Sequence, residues 1–237
     1  MNSQVWPGNF FLGHLLFGVV MRCAGESGGT ILDIAEKLWR ANQDVAIACL
    51  QHPFVQGIGN GTLAKSKFAY YVGQDAFFLE AFARAYSIAA AKTPDPEGFR
   101  VLYELTGGVL QELNLHQSYA AQWSVNLPLV DPGVATRQYT DFLSATAWSQ
   151  EVGVTVAAML PCMKLYRFLG VELSKDGLFD HAYGDWIRTY SSDEFEPLVQ
   201  QLESLANRYT SLTPLVKETY RYAIECELAF FEGAWTI

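Results

Sequence analysis

From residue 31 to residue 51 the apolar positions Ile31, Ile34, Ala35, Leu38, Ala41, Val45, Ala48 and Cys49 recur at steps of three and four, which predicts one amphipathic helix. Pro53 and the glycines at 57, 59 and 61 predict that this helix ends in a turn. Further helical signals cover about 65–92, 95–124, 131–149, 152–174, 179–190, 192–209 and 212–234. Their breaks carry Pro, Gly, Asp or Ser, as at Thr93-Pro94-Asp95-Pro96, Asp131-Pro132-Gly133 and Thr213-Pro214, where proline suits a first helical turn. No alternating strand pattern competes, so the fold class is an all-α multi-helix bundle in a single domain over 31–237. In such bundles the ligand site lies in the core, between facing helices.

The small, polar stretch Ala24-Gly25-Glu26-Ser27-Gly28-Gly29 reads as a linker that sets residues 1–30 apart as an N-terminal extension. Within it, Phe10 to Met21 is apolar apart from His14, but its 12 residues fall short of the roughly 20 that span a bilayer. No Lys or Arg precedes it, as a signal peptide would require. It reads as an appended helix or poorly ordered extension, with a targeting or membrane-surface role as the alternative. The chain is 50% hydrophobic and carries 33 aromatic rings (6 Trp, 12 Tyr and 15 Phe), enough for a large core and for a pocket that stacks a flat ligand. A formal charge of -9 with no basic run excludes nucleic acid as the expected partner. Cys23, Cys49, Cys162 and Cys226 lie far apart without a Cys-x-x-Cys pair, the pattern of reduced thiols in a cytoplasmic setting. In that setting the sequon at Asn60-Gly61-Thr62 has no glycosylation role.

Three positions carry chemistry. Pro161 lies inside the helix over 152–174, where it removes an amide donor and leaves the Ala157 carbonyl without its usual partner. A kink of that kind costs about 3 kcal/mol or more in an ordinary helix, and Cys162 follows it directly. Tyr166, four residues on, shares the face of Cys162 and offers the thiol a hydroxyl neighbour, so the site reads either as a harmless bend with a buried thiol or as a nucleophile. Asp75 sits among Tyr70, Tyr71, Phe77 and Phe78, and shares its face with Phe78 and Leu79. An inward carboxylate there either pairs with a neighbouring helix or grips the nitrogen edge of a ligand ring. Glu225 and Glu227 point about 200° apart on the last helix, and Glu227 shares its face with Phe230 and Phe231, which makes it the inward acid. Burial raises a glutamate's pKa, which suits alternating acid and base work, although a structural ion pair fits the same position.

A metal is not expected. Glu112 and His116 are four apart rather than in the Glu-x-x-His spacing of carboxylate-bridged di-iron bundles, and no second such pair exists in the chain. Nothing singles out His14, His52 or His181 as a haem ligand.

The body from about Ile31 to Trp235 resembles the TenA family, also called thiaminase II or aminopyrimidine aminohydrolase. The anchors are His52-Pro53-Phe54-Val55-Gln56-Gly57-Ile58-Gly59 with Gly61-Thr62-Leu63, Phe68-x-Tyr70-Tyr71-Val72-x-Gln74-Asp75 and Tyr139-Thr140. They continue in Leu160-Pro161-Cys162-x-x-x-Tyr166, Trp186-Ile187-x-Thr189-Tyr190 and Glu227-x-x-Phe230. The resemblance implies a haem-oxygenase-like helical fold without haem, a homotetramer, and no cofactor. It implies hydrolysis of 4-amino-5-aminomethyl-2-methylpyrimidine to the 5-hydroxymethyl compound in thiamin salvage, with slower cleavage of thiamin itself. By the same resemblance Cys162 is the nucleophile, Glu227 the general acid and base, and Asp75 the carboxylate on the aminopyrimidine edge. Tyr139, Tyr166 and Tyr190 line the pocket, and Phe230 packs on the ring. Phe78 stands where many relatives place a tyrosine close to the glutamate, which leaves rate and substrate preference open, and Phe231 replaces a Trp. The alternatives are a related helical-bundle oxidase or metal-dependent oxygenase, and a pyrimidine-binding or regulatory protein without turnover.

Overall fold

The computed structural model describes residues 33–175, 177 and 180–237. The expected N-terminal extension, the linker at 24–29 and the expected helix start at 179 lie outside the described residues. Those described form ten α-helices and one 3₁₀ turn, with no strand among them. The helices are α1 (Ile34–Arg40), α2 (Gln43–Gln51), α3 (Pro53–Gly59), α4 (Lys65–Lys92) and α5 (Pro96–Gln122). After the 3₁₀ turn Leu127–Leu129 come α6 (Val134–Ser149), α7 (Val152–Ser174), α8 (Gly184–Ser191), α9 (Glu196–Tyr209) and α10 (Pro214–Trp235).

The long helices follow the hydrophobic periodicity and start where a side-chain oxygen meets a free amide. Asp95 accepts from the Gly98 amide at 3.0 Å and Thr213 from that of Val216 at 3.2 Å, each followed by Pro at the first position. Two expectations fail at the N-terminal end. The single helix expected over 31–51 is two, because the Asn42 side chain donates to the Leu38 carbonyl at 2.7 Å and its backbone leaves the helical region. The turn expected after Pro53 is a third helix. His52 caps it, its Nδ1 accepting from the Phe54 amide at 3.2 Å. A Cβ on Gly57 would lie 3.1 Å from the Cβ of Leu63, so this glycine admits a close-packed segment within a helix, and of the three glycines at 57, 59 and 61 only Gly61 takes the left-handed conformation, at φ +75°.

Helix α7 is the axis of the bundle and packs against α4, α6, α8, α9 and α10. It alone among the described helices is long and apolar enough to cross a bilayer, and most of it is buried among its neighbours, as befits a central core helix. It runs as one helix through Pro161. Two hydrophobic clusters fill the interior, one around Phe78, Phe82, Tyr139 and Phe195 and the other around Phe54, Tyr71, Tyr166 and Trp186. Cys162 and Tyr190 pack against both. The junction of the two clusters is where the candidate site lies.

Gly170 brings α7 against α8 there: a Cβ would meet the backbone carbon of Tyr190 at 2.5 Å and the Ser191 amide nitrogen at 2.7 Å. Gly170→Ala should therefore force α8 and Tyr190 away from α7 and lower stability by about 1–3 kcal/mol, read from urea unfolding. A variant as stable as the parent would contradict this packing.

Candidate active site

Five of the eight sequence-predicted site residues line one cavity. Asp75 and Phe78 reach it from α4, Cys162 and Tyr166 from α7, and Tyr190 from α8. Leu79, Phe82, Val109, Glu112, Met163 and Phe195 complete the lining of about 440 Å³ of space, part of it open to solvent. None of these lining residues is Lys or Arg.

The other three stand behind the wall. Glu227, 2% exposed, accepts from the Tyr139 hydroxyl at Oε1, 2.8 Å away, and the neighbouring Cys162 thiol interacts with its carboxylate. The Phe78 ring lies against Tyr139, centroids 4.9 Å apart, and 6.3 Å from the Phe230 ring. Phe230 also meets Tyr71 edge-on at 5.7 Å, so it packs behind the cavity rather than into it. Glu225 faces the opposite way, paired on the surface with Arg221 at 2.6 Å.

Burial dominates the electrostatics. It pushes the Glu227 carboxyl up to about 8, against the two hydrogen bonds that favour its ionised form and with the help of the nearby Asp75 charge. The Cys162 thiol is driven well above its ordinary range, first by burial and then by the carboxyls of Glu227, Asp75 and Glu112. Burial also raises Asp75, opposed by His116, whose Nδ1 lies 3.9 Å from Oδ2. The His116 Nε2 is 2.9 Å from the Val72 carbonyl oxygen and must carry a proton to donate to it, which leaves Nδ1 toward Asp75. Burial thus works against charge on the acids and on the thiol in and around this cavity.

Sequence reasoning missed several members. Tyr71 donates to the Tyr166 hydroxyl at 3.1 Å and accepts from the Trp186 indole at 3.4 Å, which fixes the tyrosine wall. Tyr190 stands edge-on to both Tyr166 and Trp186 at 4.8 Å. Glu112 and His116, considered only as a metal pair, are not a joint ligand set: His116 turns to Val72 and Asp75, while Glu112 lines the cavity. The signal for both was present, since Leu105, Val109, Glu112 and His116 at steps of four, three and four form one buried face of α5. No group of three or more His, Cys, Asp or Glu spaced to hold a metal occurs among the described residues.

Fold and cavity define a class: an all-helical bundle whose ligand site lies among core helices at a half-buried thiol and a buried carboxyl. Heme oxygenase-1 of the cyanobacterium Synechocystis shares this fold at a TM-score of 0.57 and 16% identity, over 85% of this chain and 91% of that one. The TENA/THI-4/PQQC family matches residues 39–236, and the chain belongs to it. The aminopyrimidine aminohydrolase of Halalkalibacterium halodurans is 33% identical over 198 residues, covering 79% of this chain and 88% of that one. The mitochondrial bifunctional TH2 protein of Arabidopsis thaliana is 32% identical over 226 residues, 83% of this chain but 36% of that longer protein, so the chain spans about a third of it. The TenA homologue protein from P. horikoshii OT3 superposes with a TM-score of 0.78 at 28% identity, over 86% of this chain and 99% of that one.

The raised pKa of Glu227 has a consequence for stability. Its folded-state value of about 8 lies above the ordinary 4.5, so its contribution is whole below about pH 4.5 and is lost as the pH rises through 8. Asp75 and Glu112 act with the same sign. Unfolding free energy measured in urea should fall across this window, with Glu227 adding up to about 1.4 kcal/mol per pH unit, and Glu227→Gln should make the slope shallower. An unchanged slope would mean that Glu227 titrates alike in the folded and unfolded chains.

Proposed function

We propose that this protein is an aminopyrimidine aminohydrolase that converts 4-amino-5-aminomethyl-2-methylpyrimidine to its 5-hydroxymethyl counterpart with release of ammonia, and that cleaves thiamin more slowly. The observation that carries this reading is an aromatic cavity lined by the Cys162 thiol and the Asp75 carboxyl, with the buried Glu227 carboxyl interacting with that thiol from behind the wall. Family membership and the named aminopyrimidine aminohydrolase relative support the choice of substrate.

The substrate's flat ring enters among Phe78, Tyr166 and Tyr190, with Tyr139 and Phe230 backing that wall. Asp75 holds the ring edge with its carboxyl, sharing a proton with the ring nitrogen and accepting an N–H of the exocyclic amine. The Cys162 thiol passes its proton to ionised Glu227 as sulfur adds to the ring carbon beside the aminomethyl-bearing one. The displaced electron pair settles on the ring nitrogen that Asp75 holds. When that pair returns, the carbon–nitrogen bond to the amine breaks, and the amine leaves as ammonia with the proton from Glu227. Water adds to the exposed methylene while Glu227 takes its proton. The ring then expels the sulfur, and Glu227 returns the proton to it. Each proton that Glu227 gives up is one it has just received, so the balance is one water consumed and one ammonia released.

A carboxyl with a pKa of about 8 suits this exchange, because it neither holds nor surrenders the proton too strongly near neutral pH. Phe78 leaves the Tyr139 hydroxyl as the phenol bonded to Glu227, which points to a slower or differently selective enzyme than one with a second hydroxyl there. We also infer a cytoplasmic homotetramer. The unbridged Cys49, Cys162 and Cys226 fit a reducing compartment, and the exposed Tyr103, Val134 and Trp148 supply apolar surface for assembly.

Purified protein without added metal should release ammonia from the aminomethyl pyrimidine, and Cys162→Ala should lower the turnover at least a hundredfold while leaving pyrimidine binding largely intact. Full activity in Cys162→Ala would remove the thiol from the chemistry.

A further inference from the structure

Glu112 has no part in the steps above, yet α5 delivers its carboxyl to the cavity shared by Asp75, Cys162 and Tyr190. The residue is 9% exposed, and its Oε2 is buried with no hydrogen-bond partner. A buried acceptor left open in this way lowers stability, and a ligand that brings a donor relieves the loss. Glu112 also senses Asp75 electrostatically, whereas Glu227 is influenced by Asp75 and not by Glu112. Cys162 and Tyr190 sense Glu112 in turn, so its carboxyl shares the cavity with the edge-holding Asp75 and with both of them.

We propose that Glu112 is a specificity-determining residue that accepts the second N–H of the exocyclic amine, the first being taken by Asp75, and so selects 4-aminopyrimidines over their 4-oxo analogues. This inference rests on the aminopyrimidine reading of the site. An exocyclic amine brings two N–H donors into a pocket with little water, and both need acceptors. Asp75 satisfies only one of them, together with the ring nitrogen. The choice requires a second acceptor on the same side, and Glu112 provides it. An N–H arriving there also favours the ionised form of Glu112, against which the lone pairs of an oxo group are repelled.

The test is calorimetric binding of 4-amino-5-hydroxymethyl-2-methylpyrimidine and of the same compound with oxo in place of the 4-amino group. The wild type, Glu112→Gln and Glu112→Leu are compared, with thermal melting of each ligand-free protein. Wild type should prefer the amino compound at least a hundredfold. Glu112→Gln, whose amide can also donate, should reduce that preference at least tenfold. Glu112→Leu should bind the amino compound at least tenfold more weakly while melting no lower than wild type, because it removes an unsatisfied buried carboxyl; a merely structural role would lower the melting temperature. An undiminished preference in Glu112→Gln, with the amino compound still bound, would overturn the inference and leave the aminohydrolase reading standing. If wild type binds neither compound, the aminohydrolase reading falls, and this inference with it.

Discussion

The burial of one carboxyl group organises this site. Glu227 lies inside the bundle, 2% exposed, and is kept there by a phenol from α6 and a thiol from α7 rather than by a cation. A basic partner would have fixed the proton's whereabouts and held the carboxyl ionised. Two weak, neutral donors instead leave it near the middle of the physiological range, where burial has moved it. The need to satisfy that carboxyl ties α6, α7 and α10 to a common register, since a displacement of any one would leave a buried acceptor unpaired. Cys162 answers to the same surroundings: burial first, and then three nearby acids, drive its thiol well above its ordinary range, so the empty site disfavours a thiolate.

The rest of the fold serves this arrangement through α7. Its apolar length lets it occupy the middle of the bundle, and Gly170 allows α8 close enough for Tyr190 to reach the cavity beside Tyr166. The aromatic excess divides into a wall that meets the ligand space and a backing layer. Tyr139, Phe230 and Tyr71 belong to the backing layer and fix the wall through ring contacts and hydroxyl bonds.

Much of this was legible from residue spacing. The long helices follow apolar positions at steps of three and four, and their starts follow Asp or Thr placed before proline. Glu227 could be chosen over Glu225 because its face carries Phe230 and Phe231, and the structure turns the two acids as that argument requires. The helix break at Asn42 was not legible, because it depends on one side chain bonding back to Leu38. Nor was α3, whose glycines serve close packing against Leu63 and Leu173, a tertiary fact that local propensity does not carry. Glu112 was visible only as a partner for His116. Which neighbour each residue faces across the bundle is decided by how α4 and α5 pack, and that packing sends His116 to Asp75 and leaves Glu112 to the cavity.

The central claim is that burial, tempered by the Tyr139 hydroxyl, sets the proton affinity of Glu227 and that this affinity governs turnover. The pH dependence of kcat/KM for ammonia release, compared between wild type and Tyr139→Phe, tests it most directly. The hydroxyl donates to the ionised carboxylate, so its removal should move the Glu227 limb of the profile upward from about pH 8. A limb that stays in place in Tyr139→Phe, with activity retained, would contradict the account.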